Sequence, residues 1–278
     1  MSASVFFAVL FAALLHAGWN AWVKGGRDGF TAILLLALGQ SLIAAIALIA
    51  VGLPPASALP WVAASALLHC GYKAFLISAY EQGDLSQIYP IARGTAPLIV
   101  AVAGLLFLGE ALPPVRLAAV AAIAAGILLL ALGKPGTRLS GTGLRLGLGT
   151  TAFTASYSLV DGLGARFAGD ASSFILAAIA LDGILMLGWA KLAGRRLPFE
   201  AVRRGWRQGL AAGGVSVGAY WIVVWAFTQA PLGLVAALRE TSVLFAMLIA
   251  ALFLREQVGP RRWAAAAMIA GGIALMRI

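Results

Sequence analysis

About ten apolar segments of membrane-spanning length follow one another along the chain, at residues 3–23, 30–52, 60–80, 86–108, 115–133, 146–165, 173–190, 208–228, 232–254 and 261–277. Hydrocarbon offers no water to backbone amides and carbonyls, so a spanning segment satisfies them internally as a helix or sideways in a closed barrel. No alternation of apolar and polar residues marks barrel strands, and the segments read as helices. Breakers such as Leu53-Pro54-Pro55, Pro113-Pro114, Lys134-Pro135-Gly136 and Gly259-Pro260 separate them. Composition excludes the soluble alternative, because 62% of the 278 residues are hydrophobic and only 11% are charged. The opening stretch MSASVFFAVLFAALLHAGWNAW lacks a basic leader and a small-residue cleavage site, and reads as the first membrane helix rather than a signal peptide. The sequence predicts an all-α integral membrane protein with ten transmembrane helices.

A net charge of +10 would suggest nucleic acid in a soluble chain, but here the basic residues sit mostly in short connectors. The connectors after the first, third, fifth, seventh and ninth segments carry two, none, three, six and three Lys or Arg, whereas the opposite side has only Arg116, Arg166 and Arg277. The positive-inside rule then places the basic loops in the cytoplasm and both termini outside, in an inner or plasma membrane. The lone Cys70 has no partner for an intrachain disulfide.

Internal repetition sets the domain organisation. At an offset of 146, ARGTAPLIVAVAGLLFLGEALPPVR lies over LRETSVLFAMLIAALFLREQVGPRR, matching Arg93 with Arg239, Thr95 with Thr241, Glu110 with Glu256, Pro114 with Pro260 and Arg116 with Arg262. At an offset of 142, Lys24 meets Arg166, Asp28 meets Asp170 and Gln40 meets Asp182. Residues 1–137 and 138–278 therefore form two five-helix repeats, and because five is odd they enter the membrane in opposite orientations.

Arg93 lies inside an otherwise apolar run, about 7 to 8 Å into its segment, and Arg239 lies at mirrored depth in the ninth. Two readings stand: the arginines border a central cavity as anion contacts or gates, or they snorkel or pair locally, as Arg239 could with Glu240. Polar stripes at helical spacing add candidates that should face protein or water rather than lipid: His16, Trp19 and Asn20 with Lys24; His69, Tyr72, Lys73 and Tyr80; Tyr157, Ser158 and Asp161 with Thr154; and the aromatic pair Trp221 and Trp225. Interhelical hydrogen bonding, or an interfacial belt for the tryptophans, is the alternative. Glu110 and Glu256, just before Pro-containing turns, read as caps or ion-pair partners.

The motifs HAGWNAWVK and SYSLVDGLGAR, with a Pro-containing helix ending in FLGE and echoed as FLRE, resemble the EamA family of the drug/metabolite transporter superfamily. That resemblance implies a ten-helix secondary transporter of small metabolites, similar to YddG-type amino acid exporters, working by alternating access through a central cavity. Multidrug, sugar or nucleotide-related solutes remain alternatives within that class. A membrane enzyme acting on a lipid-linked substrate is the alternative outside it. Two separated histidines, no cysteine pair and no phosphate loop point to no catalytic residues, no metal and no cofactor. The expected partners are a small solute, amino acids foremost, and the bilayer, with no nucleic acid and a monomeric state.

Overall fold

The computed structural model of the chain describes residues 1–23, 29–82, 85–131, 141–197, 199–253 and 258–278. These are helical almost throughout: α1 (Ala3–Val23), α2 (Gly29–Val51), a 3-10 turn at Ala56–Ala58, α3 (Leu59–Gln82), α4 (Leu85–Phe107), α5 (Pro114–Ala131), α6 (Gly141–Ala168), α7 (Ala171–Leu192), α8 (Phe199–Gln229), α9 (Leu232–Glu240), α10 (Ser242–Phe253) and α11 (Pro260–Leu275). Large apolar side chains such as Ile49, Leu106, Phe107 and Leu252 are exposed on the outside. Charged groups including Lys73, Arg93, Asp161, Arg239 and Glu240 are buried inside. This inversion of the soluble pattern fits a protein whose outer solvent is lipid.

Six helical segments among the described residues are long and apolar enough to cross a bilayer: Ala3–Asn20, Gly29–Val51, Ala56–Ala79, Ala171–Leu192, Phe199–Gln229 and Leu232–Leu252. Arg93–Phe107 and Pro114–Leu130 are apolar but shorter. Against the ten expected from sequence, α6 departs because Arg145, Asp161 and Arg166 interrupt a run rich in Gly, Thr and Ser. Helix α11 has only 16 residues.

Two further differences have local causes. The basic connector expected up to about residue 207 is largely helix, since α8 already starts at Phe199. The ninth segment, expected as one helix, breaks at Thr241 into α9 and α10. There the Thr241 hydroxyl donates to the Leu238 carbonyl at 2.6 Å, and the Thr241 amide donates to the same oxygen at 3.2 Å. Such back-bonding competes with the regular i to i−4 ladder.

At one end of the bundle, Gly109 adopts φ 63°, a left-handed conformation that suits glycine, and the chain turns back so that the Glu110 amide reaches the Gly104 carbonyl at 3.0 Å. Glu110 then accepts from the Leu232 amide at 2.9 Å, capping α9, and from Arg166 Nη2 at 3.0 Å. Arg166 also donates to the Phe227 and Ala230 carbonyls, so one ion pair ties α4, α6, α8 and α9 together. The capping and pairing role expected of Glu110 is what it performs, while Glu256 lies outside the described residues. At the opposite end Arg195 grips Glu81 with both guanidinium nitrogens, at 2.5 and 2.9 Å, and lies over the rings of Phe30 and Trp189. Asp170 caps α7 through the amides of Ser172 and Ser173.

Packing follows a reciprocal scheme. Helix α2 lies against α8 and α7, α3 against α6 and α7, α1 against α8, α4 against α6 and α9, and α5 against α11. A Cβ on Gly126 would meet Ile269 and the Ala265 carbonyl, and one on Gly272 would meet Ile123 and the Ala119 carbonyl. Where α2 crosses α8 the backbones nearly touch, for a Cβ on Gly213 would lie 2.6 Å from the Gly39 carbonyl carbon. Gly213→Leu should therefore force α2 and α8 apart and lower stability by about 1–3 kcal/mol. Gly218→Ala, five residues along α8 with nothing within 4 Å, should leave it unchanged or slightly raised. Thermal melting in detergent compares them, and equal melting temperatures would refute the close crossing.

Candidate functional site

A cavity of about 470 Å³ lies among α1, α2, α3, α4, α6, α7 and α8, toward the end where Arg195 holds Glu81. Of the residues expected from sequence, His16, Trp19, Asn20, His69, Tyr72, Lys73, Arg93 and Tyr157 line it. They come from four helices; α1 and α3 present the polar stripes that their periodicity outlined, whereas α6 contributes only Tyr157 and α4 only Arg93.

Arg93 lies about 12 Å along α4 from Leu85 and Arg239 about 10 Å along α9 from Leu232, both deeper than the 7 to 8 Å expected. Arg93 Nη1 donates to Glu240 Oε2 at 3.0 Å, and Arg239 donates to Glu240 Oε1 through Nη2 at 2.7 Å and Nε at 3.1 Å. Arg93 Nη2 also meets His16 Nε2 at 2.9 Å. A guanidinium has no acceptor, so His16 accepts there. Arg239 is buried behind the cavity wall, with its guanidinium carbon 5.5 Å from the centre of the Tyr157 ring. Both arginines are thus tied to one carboxylate, Arg239 to its neighbour as the pairing alternative has it, while Arg93 also lines the cavity.

A second cluster surrounds Asp161, which is fully buried and stands behind the cavity lining. It accepts from Ser65 Oγ at 2.5 Å and Tyr220 OH at 2.5 Å, and its Oδ2 lies 2.9 Å from His69 Nε2. The His69 ring stacks on Tyr157 at 4.2 Å and meets Tyr220 edge-on at 5.2 Å, while Tyr72 meets Tyr157 edge-on at 5.7 Å.

The third cluster is Lys73 with Asp182, which form an ion pair between α3 and α7. Lys73 Nζ also donates to Gln40 Oε1 at 3.4 Å, and Gln40 Nε2 donates to Ser216 Oγ at 2.8 Å. The repeat-matched positions Gln40 and Asp182 therefore converge on one lysine. Two buried polar atoms of residues in this wall, Asp182 Oδ1 and Trp19 Nε1, lack hydrogen-bond partners among the described residues.

Several sequence candidates fall elsewhere. Ser158 is buried within α6 and donates to the Thr154 carbonyl at 2.7 Å. Trp221 is 39% exposed and donates from Nε1 to Ser172 Oγ at 3.0 Å, and Trp225 packs against the apolar core. Helix α8 instead turns Ser216 and Tyr220 toward the cavity, one helical turn apart. The Tyr80 side chain, together with Lys24 and Asp28, lies outside the described residues. Gln40, Asp182, Ser216 and Tyr220 were not singled out from sequence; the offset that matched Gln40 with Asp182 was the one signal for two of them.

Residues 141–278 match the EamA-like transporter family. The matched stretch, just under half of the chain, is similar to an EamA-like transporter domain. It contributes α6 to α11, and with them Tyr157, Asp161, Asp182, Ser216, Tyr220, Arg239 and Glu240. The apolar helices fit a multi-pass membrane protein, and the family matched by residues 141–278 is one of transporters. The whole chain also resembles in fold a protein of known crystal structure, with a TM-score of 0.75 and 18% identity over 100% of this chain and 99% of the other. No curated protein matches it.

Among these contacts Glu240 carries a large electrostatic burden, since one carboxylate meets two buried guanidinium groups. Glu240→Gln should cost about 3–5 kcal/mol, as for other buried pairs that lose one partner. Arg239→Gln, which leaves the Arg93–Glu240 pair intact, should cost less. The order of their melting temperatures in detergent checks this, and a Glu240→Gln protein at least as stable as Arg239→Gln would refute shared neutralisation.

Proposed function

We propose that the chain is an inner-membrane secondary transporter that exports small zwitterionic metabolites, amino acids foremost, by alternating access between two inverted five-helix repeats. The observation that carries this reading is the cavity, walled by both halves and lined by Asp182 and Trp19, whose Oδ1 acceptor and Nε1 donor are buried without a partner among the described residues. Its volume falls within the range of small-molecule sites. An ammonium group suits the acceptor, a carboxylate suits the donor, and the rings of Trp19 and Tyr72 suit an apolar side chain. The arginines are not the carboxylate contacts in this reading, because Glu240 already occupies them.

The repeat is supported by the reciprocal packing. Gly126 and Gly272, Ile123 and Ile269, and Ala119 and Ala265 are each separated by the same offset of 146 that aligns the two halves in sequence. Helix α1 meets α8 as α6 meets α3, and α2 meets α8 as α7 meets α3. Two halves related in this way can exchange packings and open the cavity to alternate sides. The cavity lies toward the end that carries the basic connectors, which the positive-inside rule makes cytoplasmic, so a solute to be exported would load from the cell interior.

Purified protein in liposomes should exchange radiolabelled leucine for unlabelled leucine. Trp19→Ala and Tyr72→Ala should each slow that exchange about tenfold while the protein stays folded, the equivalent of about 1.4 kcal/mol of lost aromatic contact. Flux of a quaternary ammonium dye with none for any amino acid would turn the assignment to multidrug transport. Turnover of a lipid-linked substrate without flux would turn it to an enzyme. For orientation, a cysteine placed at Ser2 in a Cys70→Ala background should react with an impermeant thiol reagent on intact cells; labelling only after lysis refutes the topology.

A further inference from the structure

We infer that His69 is a proton-binding site of the transporter, and that its Nδ1 exchanges one proton for a hydrogen-bond donor of the solute. This rests on the transport reading above and adds to it an energy source.

The chain has two histidines, and their surroundings differ. His16 Nε2 is committed as an acceptor to Arg93. His69 Nε2 instead faces Asp161, a carboxylate that also receives Ser65 and Tyr220 hydroxyl protons. A carboxylate gathering such donors acts as acceptor, so His69 carries its hydrogen on Nε2 and keeps its lone pair on Nδ1. Nδ1 has no hydrogen-bond partner among the described residues, and the ring lines the cavity. Stacking on Tyr157 and the edge contact with Tyr220 fix the ring in place, so gaining a proton requires no rotation.

The charges that face this ring balance without it. On α3 itself stand Tyr72 and Lys73, and Lys73 is paired with Asp182 on α7. Helix α6 presents Tyr157 and Asp161, and α8 presents Tyr220. Arg93 on α4 and Arg239 on α9 share Glu240, and His16 on α1 stands beyond Arg93. Among the described residues three cations, Lys73, Arg93 and Arg239, thus oppose three acids, Asp161, Asp182 and Glu240, and a protonated His69 adds a single charge to that balance. Asp182 is the other cavity carboxylate, but protonating it would strand the Lys73 ammonium.

Protonation converts Nδ1 from an acceptor into a donor. A solute N–H or O–H that uses the lone pair therefore cannot occupy the site with the proton, and mutually exclusive occupancy of one alternating cavity is antiport. The proton comes from water on one side and returns to water on the other, with no other bond made or broken.

Two measurements test this. In protein labelled with ¹⁵N-histidine in detergent, two ring systems are observed, assigned with His16→Gln; acidifying the folded protein should convert the His69 ring from the Nε2–H form to the doubly protonated form. A His69 ring that keeps the Nε2–H form until the protein unfolds overturns the proposal without reference to any solute. In liposomes with an acidic lumen, with the potential clamped by valinomycin and equal potassium, leucine should accumulate about tenfold per unit of pH difference for one-for-one exchange. In His69→Gln the ratio of gradient-driven accumulation to leucine exchange should fall to that of a control without a gradient. An unchanged ratio, or wild-type exchange that no pH gradient can drive, overturns the proposal and leaves the transport reading standing. Absence of exchange for leucine and every other neutral amino acid overturns the solute assignment instead, and the histidine spectrum then decides the proton site alone.

Discussion

The Glu240 carboxylate, fully buried between Arg93 and Arg239, is the contact on which the interior of this protein depends. Two guanidinium groups at this depth are costly unless a negative charge meets them, and one acid on the short helix α9 meets both. At the offset of 146 that aligns the arginines with each other, Gly94 stands where Glu240 stands in the second half. Symmetric sequences therefore give an asymmetric triad, with two cations from equivalent positions and the acid from one side only. A Cβ at Gly94 would already press on Leu128, 2.7 Å away, so α4 has little room for a carboxylate of its own. The break at Thr241, immediately after Glu240, ends α9 at this ion cluster.

The other buried charges follow the same rule of local neutralisation. Lys73 is balanced by Asp182, and Asp161 on α6 is surrounded by Ser65 and His69 from α3 and Tyr220 from α8. What remains for a ligand is a near-neutral chamber with aromatic faces and few unpaired polar atoms among the described residues, rather than a strongly positive one. Charged clamps at the two ends, Glu110 with Arg166 and Glu81 with Arg195, complete the framework. The first is the more enclosed and joins four helices through backbone as well as side-chain contacts. The second is more exposed and lies at the end nearer the cavity, where partial solvation makes an ion pair easier to separate.

Much of this was legible in the sequence because it is encoded locally. Apolar length and helix breakers placed α1, α2, α3, α5 and α7 to within about four residues. Helical spacing gathered His16, Trp19 and Asn20 on one face and His69, Tyr72 and Lys73 on another, and those faces line the cavity. The same spacing misassigned Trp221 and Trp225, because a periodic aromatic stripe is written identically whether it meets a ligand, the core or the bilayer interface.

By itself the sequence determined that the chain is helical and apolar outside, and that polar groups must gather within, since hydrocarbon tolerates neither open backbone nor scattered charge. Only the tertiary structure decided which polar groups meet. Arg93 finds Glu240 across 147 residues, Lys73 finds Asp182 across 109, and His69 finds Asp161 across 92. Helical periodicity fixes the direction in which each side chain leaves its own axis. The partner depends on how neighbouring helices are rotated and shifted against each other, and those offsets come from contacts such as Gly39 on Gly213 and Gly126 on Ile269, which arise only when distant segments pack.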